Sequence, residues 1–471
     1  MDSTLEECSN SSNMINDGYS TPRILCMCGG IMAAQFMFSY SFALTAPLAR
    51  QLAFSKTWTQ VFSAFGPIAG GVIQPLIGFF SDRVHSRYGR RRPFIVVGQI
   101  GTGIALVMQI FVFQVIDHKY LKARQILYVI SLIMVNCFVQ AIQGPSRTLI
   151  ADLLPSYQQV LGNAMATSMI AFASITCNLL GFILIIKPQD NFFKLEVFVP
   201  FLSLIFAVMG TVMTCITTKE VPTNIDKDYQ NVEEQAERKN PLKEIVDTIK
   251  NIDRPVIIVA VLLLVSWAAY YPFTYNATGY YAVDIYNADP DEPDSETYKK
   301  GIGHGMLMIA INNVITLCSG YINQKLIDSV GPKIPYAASQ LIECAVLIAA
   351  IFMKKEWLAT FLFALLGISQ SIFNIVPYTI VGICVAKSQM GMVMGSLNIF
   401  VVLGQLITGT LICPFVASDD KHVKGKLGPV IAVGSPFALA AAVICIFLTI
   451  PERKDERDTL NDELIVPVSD Q

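Results

Sequence analysis

The sequence predicts an all-α membrane protein of twelve transmembrane helices, arranged as two pseudo-symmetric six-helix bundles. Three observations carry that expectation. Hydrophobic residues make up 53% of the 471 positions and charged residues 15%, with a mean hydropathy of +0.51, whereas a water-soluble chain carries about 25% charge. Twelve apolar stretches, most near the roughly 20 residues that a membrane-crossing helix needs, begin near residues 24, 58, 94, 126, 160, 195, 255, 304, 333, 357, 390 and 429. A loop pattern of the first half also returns in the second half at a constant offset of 242 residues.

The elements follow in order. Residues 1–23 form a polar tail with Asp2, Glu6, Glu7 and Asp17, which lacks the basic start and apolar core of a cleavable signal. Residues 24–217 supply the first six spans, and the charged stretch 218–254 is a linker. Within it, Asn240 as cap, Pro241 at the first helical position, and Leu242, Ile245, Val246, Ile249 and Ile252 at helical spacing predict an amphipathic helix along the membrane face. Residues 255–450 supply the second six spans, and 451–471 a tail. Lys and Arg are in modest excess on the side of the termini, most densely at Arg83, Arg87, Arg90, Arg91 and Arg92, so both termini are expected in the cytoplasm. The membrane is either the plasma membrane or that of an internal compartment. Ten of the eleven cysteines fall in predicted spans, leaving Cys8 in a tail; that distribution reads as core packing rather than a disulfide or metal framework.

The fourth span holds the strongest chemical signal. Asn136, Gln140, Gln143 and Arg147 fall within about 60° of one another at 100° per residue, one stripe along one helix face. Arg at the centre of an apolar helix costs about 2.5–3.5 kcal/mol even on insertion scales. The stripe is therefore expected to face a bundle interior or a watery cavity. Amides both donate and accept, and Arg offers a planar fork of donors, which suits the hydroxyls of a sugar. Other spans offer similar faces: Gln35, Ser39 and Phe42 in the first; Asn163, Thr167, Ser174 and Asn178 in the fifth; Trp267, Tyr270, Tyr271 and Phe273 in the seventh. Asn312 and Asn313 lie in the eighth, Gln370, Asn374 and Tyr378 in the tenth, and Asn398 and Gln405 in the eleventh. The alternative for any one amide is a hydrogen bond between helices.

The repeated pattern lies between the second and third spans of each half. GFFSDRVHSRYGRRRP (78–93) aligns with GYINQKLIDSVGPKIP (320–335), matching Gly78 to Gly320, Arg83 to Lys325, Gly89 to Gly331 and Pro93 to Pro335. Asp82 with Arg83, Arg87, Gly89, Arg90, Arg91, Arg92 and Asp152 forms the expected gate, with Gly89 permitting the turn and charge pairs forming in one conformation of a two-state cycle. A parallel six-span repeat with a site at the seam is the pattern of the major facilitator architecture. SDRVHSRYGRRRPFI (81–95) and QGPSRTLIADL (143–153) resemble the corresponding motifs of plant sucrose–proton symporters and related sugar carriers. GPIAGGVIQPLIG (66–78), Gln35-Phe36 with Pro47, Tyr298 to Gly305, and Gly395 with Ser396, Leu397, Asn398 and Gln405 support the likeness. The resemblance implies the major facilitator fold, carriage of sucrose or a related disaccharide or glucoside by proton symport, and a substrate-binding role for Arg147.

The departures are chemical. Where the plant symporters carry an aspartate eleven residues before that arginine, this chain has Asn136, which does not titrate; the histidine of their first outer loop is replaced near Lys56; the seventh span keeps only Asp284. Glu343 in the ninth span, Asp284 and His304 are then the candidate proton carriers. Uncoupled sugar diffusion and a non-transporting sugar sensor of the same fold are the alternatives. Substrate-binding candidates are Asn136, Gln140, Gln143, Arg147, Gln35, Asn163, Trp267 and Asn398. No nucleophile–base pair, metal-ligand spacing or phosphate-cradling loop points to an enzyme, a cofactor or a metal, and a net charge of −2 points to no nucleic acid. The acidic run Asp289–Glu296 reads as a solvated loop. The expected partners are a sugar, protons and the lipid bilayer.

Overall fold

The computed structural model describes residues 18–54, 58, 62, 64–84, 86–186, 195–220, 250, 253–289, 292, 295–417 and 426–448. The amphipathic helix expected at 240–252, apart from Lys250, together with Lys56 and the tails at 1–17 and 449–471, lies outside these. Among the described residues the chain is helical throughout, without a strand. Twelve principal helices follow in order: α1 Gly29–Gln51, α2 Phe65–Arg83, α3 Arg92–Gln114, α4 Leu121–Leu153, α5 Gln159–Ile186, α6 Leu195–Thr217, α7 Arg254–Tyr280, α8 Glu296–Val330, α9 Lys333–Ala349, α10 Glu356–Cys384, α11 Met390–Leu406 and α12 Ser435–Ile444. Short helices Thr21–Met27 and Gly428–Ala432 precede α1 and α12, and π-turns extend α7 (Tyr281–Ile285) and α11 (Ile407–Ile412).

Nine of these helical spans are individually long and apolar enough to cross a bilayer, and the bent pair Thr21–Met27 and Gly29–Ser41 makes a tenth. The other two are α2, diluted by four glycines and Gln74, and α9, which is 17 residues long. Both are gripped by neighbours, α2 by α11 and α4, α9 by α12 and α10. Outer faces are apolar. On α3, Val97, Ile100, Ile104, Val107 and Phe111 form one helical stripe that is 47–58% exposed, a surface suited to lipid.

Proline and glycine set the ends. Pro93 and Pro255 open α3 and α7 at positions whose N–H groups need no helical partner, and Leu154 turns extended before Pro155 to stop α4. The eighth span begins earlier than the position near 304 that hydropathy suggests. Ser295 accepts from the Tyr298 N–H at 3.3 Å as its cap, and Gly301 and Gly305 let the first turns lie against the backbone of Ala282 and Thr278. Polar residues at a close helix crossing thus hid the true start, and His304 is two turns inside α8.

Apolar side chains pack into two main cores, one built by α1 and α3–α6, the other chiefly by α7–α12. The repeat has structural counterparts. Gly89 and Gly331 both adopt positive φ, 94° and 78°. The Arg83 guanidinium lies 3.6 Å over the Phe79 ring, and the Lys325 ammonium lies 4.7 Å over the ring of Tyr321, the residue matching Phe79. The halves meet along α2–α11 and α5–α8, with α10 also touching α4 and α5.

Candidate functional site

Arg147 stands on α4 at the seam between the halves. Its Nη2 donates to Asn374 Oδ1 of α10 at 3.0 Å, and its guanidinium lies 4.0 Å over the Tyr378 ring one turn further on. Nε and Nη1 are buried with no hydrogen-bond partner. Pro145 and Pro377 interrupt the two helices beside this contact, where each removes an internal hydrogen bond and favours bending. The side chain is 9% exposed and lines a cavity of about 20 Å³ with Gln74, Gln143, Gly144, Tyr378, Met394 and Asn398. That volume admits about one water, so a sugar enters only if the halves part. A wider groove between α8 and α10, lined by Leu307, Ile311, Ile315, Trp357 and Phe361, has the apolar chemistry of a lipid face.

Gln74 of α2 ties the stripe together: its Nε2 donates to Gln140 Oε1 at 2.7 Å and to Gln143 Oε1 at 2.6 Å. Hydropathy gave no signal for it, a single amide between glycines and a proline. Asn398 of α11 and the Gln140 amide both pack against Gly70 of α2. Asn136 is buried and donates to the Leu132 carbonyl of its own helix at 2.8 Å. The remaining candidates are more scattered. Gln35 donates to Ser39 on α1 at 3.3 Å. Asn163 reaches Thr379 of α10 at 3.3 Å, a bond between the halves. Trp267 packs against Phe373 and Tyr270, its buried Nε1 without a partner.

The proposed proton carriers part company. Asp284 accepts the Leu427 and Gly428 N–H groups at 2.8 and 3.2 Å, capping the helix before α12 away from the cavity. His304 Nδ1 meets Glu356 Oε1 at 2.5 Å, where Tyr286 also donates to Glu356 Oε2 at 2.9 Å. Glu343 is wholly buried in the second half.

At the termini side a charge cluster joins the halves. Arg91 is fully buried and donates to Ser81 at 2.5 Å, Asp82 at 2.5 Å and Asp152 at 2.9 Å. Burial opposes its charge, yet the two carboxylates outweigh that and raise its pKa. Asp82 also accepts the Gly391 and Met392 N–H groups at 3.0 and 2.8 Å, where the N-terminus of α11 favours an anion. Arg90 lies 3.4 Å from Asp152. Glu220, which the sequence did not single out because it sits in a charged stretch, accepts the backbone N–H groups of Arg90, Arg91 and Arg92 at 2.9–3.2 Å. Arg92 lies 3.5 Å from it. Arg87 sits apart, stacked on Tyr88 at the surface.

Two helical bundles with an amide-lined arginine at their seam and a charge clasp at one end define a membrane carrier rather than an enzyme. The sequence profile of the Major Facilitator Superfamily matches residues 26–326 and 295–470, and the chain belongs to that superfamily. It is similar to the sucrose transport protein SUT1 of Oryza sativa subsp. japonica, 25% identical over 477 residues that cover 89% of this chain and 86% of that protein. It is also similar to the sucrose transport protein SUC4 of Arabidopsis thaliana, 23% identical over 470 residues covering 90% and 89%. Among solved structures, the fold matches a D-xylose-proton symporter with a TM-score of 0.62 and 14% identity over 92% of this chain and 98% of that one. The transporter FucP in its outward conformation matches with a TM-score of 0.62 and 14% identity over 91% and 98%.

Proposed function

We propose that this protein carries a sugar, sucrose or a related disaccharide or glucoside, across a membrane by rocking its two bundles about the seam, coupled to proton symport. The observation that carries this reading is Arg147: a buried guanidinium with two unpartnered donors, surrounded by amides from three helices of both halves. Hydroxyls satisfy such donors without a counter-charge, and the Tyr378 ring offers a flat face for the apolar side of a sugar. Similarity to sucrose transport proteins over most of the chain supports the substrate class. Arg147, Gln140, Gln143 and Asn398 contact substrate in this reading, with Gln74 placing the amides and Asn136 lining the approach. Both termini face the cytoplasm, so the Asp82–α11 clasp and the Arg147–Asn374 bond close the cytoplasmic side.

Uncoupled facilitation is the second reading, favoured by the absence of any acid among the cavity-lining residues. Uptake of labelled sucrose into proteoliposomes, with and without an inward pH gradient, separates the two. Accumulation beyond equilibration is expected only with the gradient; uptake that stops at equilibration would establish the facilitator. Sugar that binds but does not exchange in counterflow would identify a sensor. Arg147→Ala is expected to abolish uptake at unchanged membrane abundance, and normal uptake by that variant would remove Arg147 from the site.

A further inference from the structure

With Asn136 in the fourth span and no acid lining the cavity, a coupled proton needs another seat. Glu343 of α9 is 0% exposed. Its Oε2 accepts from Gln340 Nε2 at 2.9 Å, and Oε1 has no hydrogen-bond partner. The groups facing it are Tyr270 from α7, Tyr336 and Cys344 from its own helix, and Ser369 from α10. The α12 helix, SPFALAAAVI, brings no titratable group, and no Lys, Arg or His pairs with Glu343 among the described residues. A carboxylate with an amide and a hydroxyl beside it and no cation is strongly disfavoured away from water, whereas the neutral acid fits these surroundings.

The surrounding hydrogen bonds have a direction. Ser266 Oγ lies 2.8 Å from Tyr336 OH and donates to Gln340 Oε1 at 3.4 Å, and Gln340 in turn donates to Glu343. One turn from Ser266, Tyr270 OH lies within hydrogen-bonding distance of Gln370 Oε1, 3.0 Å, and Asn312 Oδ1, 3.2 Å. The Gln370 backbone carbonyl, not its side chain, accepts from Asn374 Nδ2 one turn on, and Asn374 Oδ1 holds Arg147. Tyr270 on α7 therefore stands between the buried acid and α10, the helix that carries the Arg147 partner Asn374.

We infer that Glu343 binds and releases the coupled proton, and that its charge state reaches α10, the helix holding Arg147, through Tyr270. The inference rests on the sugar-carrier reading. Glu343 takes one proton from the outer aqueous phase to become the neutral acid present in the closed seam, and gives the same proton to the cytoplasm once that side opens. When ionised, it draws the hydroxyls of Tyr270 and Tyr336 toward itself, which takes Tyr270 from Gln370 of α10, the helix whose Asn374 holds Arg147.

Full-length protein in proteoliposomes tests this with three readouts: labelled sucrose accumulation under an inward pH gradient, sucrose counterflow at equal pH, and the infrared carbonyl band of a protonated carboxylic acid. Glu343→Gln is expected to keep counterflow, to lose accumulation by at least about tenfold, and to lose the infrared band seen in the unmodified protein. Accumulation by Glu343→Gln equal to that of the unmodified protein, or a band that persists in the variant, overturns the proton role. Should Glu343→Gln fail to reach the membrane, Glu343→Asp replaces it: a shifted pH dependence of uptake supports the role, and an unshifted one overturns it. Unmodified protein that exchanges sucrose but ignores the gradient also overturns the proton role and leaves sugar carriage intact. Unmodified protein without counterflow overturns the sugar reading instead.

Discussion

At Arg147 the shape of the cation matters as much as its charge. The guanidinium holds Asn374 with one nitrogen, stacks on Tyr378 with its plane, and leaves Nε and Nη1 without a hydrogen-bond partner. Lysine offers a point charge without the planar fork. Arg147→Lys is therefore expected to keep the fold and membrane abundance while sugar affinity falls at least about tenfold, about 1.4 kcal/mol, as read by the concentration dependence of uptake; unchanged affinity would mean the fork is unused. This residue was legible in the sequence because a charge inside an apolar run needs a reason. Gln74 was not, although it grips both Gln140 and Gln143, because its helix neighbours are small and its partners are 66 and 69 residues away. Nor could spacing separate Asn163, which bridges the halves, from Gln140, which lies beside the cavity residues. Both are amides on apolar helices, and only the packing tells them apart.

Between helices, the two matching turns at Gly89 and Gly331 make a controlled comparison. Both glycines have positive φ, which costs other residues about 1–2 kcal/mol. A Cβ at Gly89 would fall 2.1 Å from the Glu220 carboxylate, while nothing lies within 4 Å of one at Gly331. Gly89→Ala should therefore lower the melting temperature more than Gly331→Ala, with the difference disappearing in a Glu220→Gly background, which also removes the Glu220 Cβ that lies 2.6 Å from the added methyl. Equal losses would show that Glu220 does not grip the turn. Helix number and order were readable from hydropathy, and the Gly89–Gly331 match from the repeat. The start of α8 was not, since glycine and polar residues there serve a close crossing with α7 that no periodicity reveals. Asp284 shows a similar limit: an acid near a span end has the same sequence appearance whether it moves a proton or caps a helix, and this one accepts the N–H groups at the start of the helix before α12.

Over the whole molecule, the clasp at the termini side ties the two halves together, and in the proposed cycle its making and breaking set which conformation is populated. Asp82 binds Arg91 of its own half and the first N–H groups of α11 in the other. Removing one charge from a buried ionic cluster costs about 3–5 kcal/mol, and the loss falls on the closed arrangement alone. Asp82→Asn is expected to shift the population toward opening on that side. In a background with the native cysteines replaced, Met394→Cys in the cavity should then react at least about tenfold faster with a membrane-impermeant thiol reagent applied from the termini side; an unchanged rate would deny the clasp its gating role. The chemistry of that clasp has an evolutionary corollary. On the α11 side it consists of main chain, at Gly391 and Met392, so the Met392 side chain can change without unfastening it, whereas Gly391 is fixed, since a Cβ there would fall 2.5 Å from Arg91 Nη1 and 2.6 Å from Asp82 Oδ1. Selection for a new cargo can rewrite α11 toward Asn398 while the latch a few residues away stays as it was.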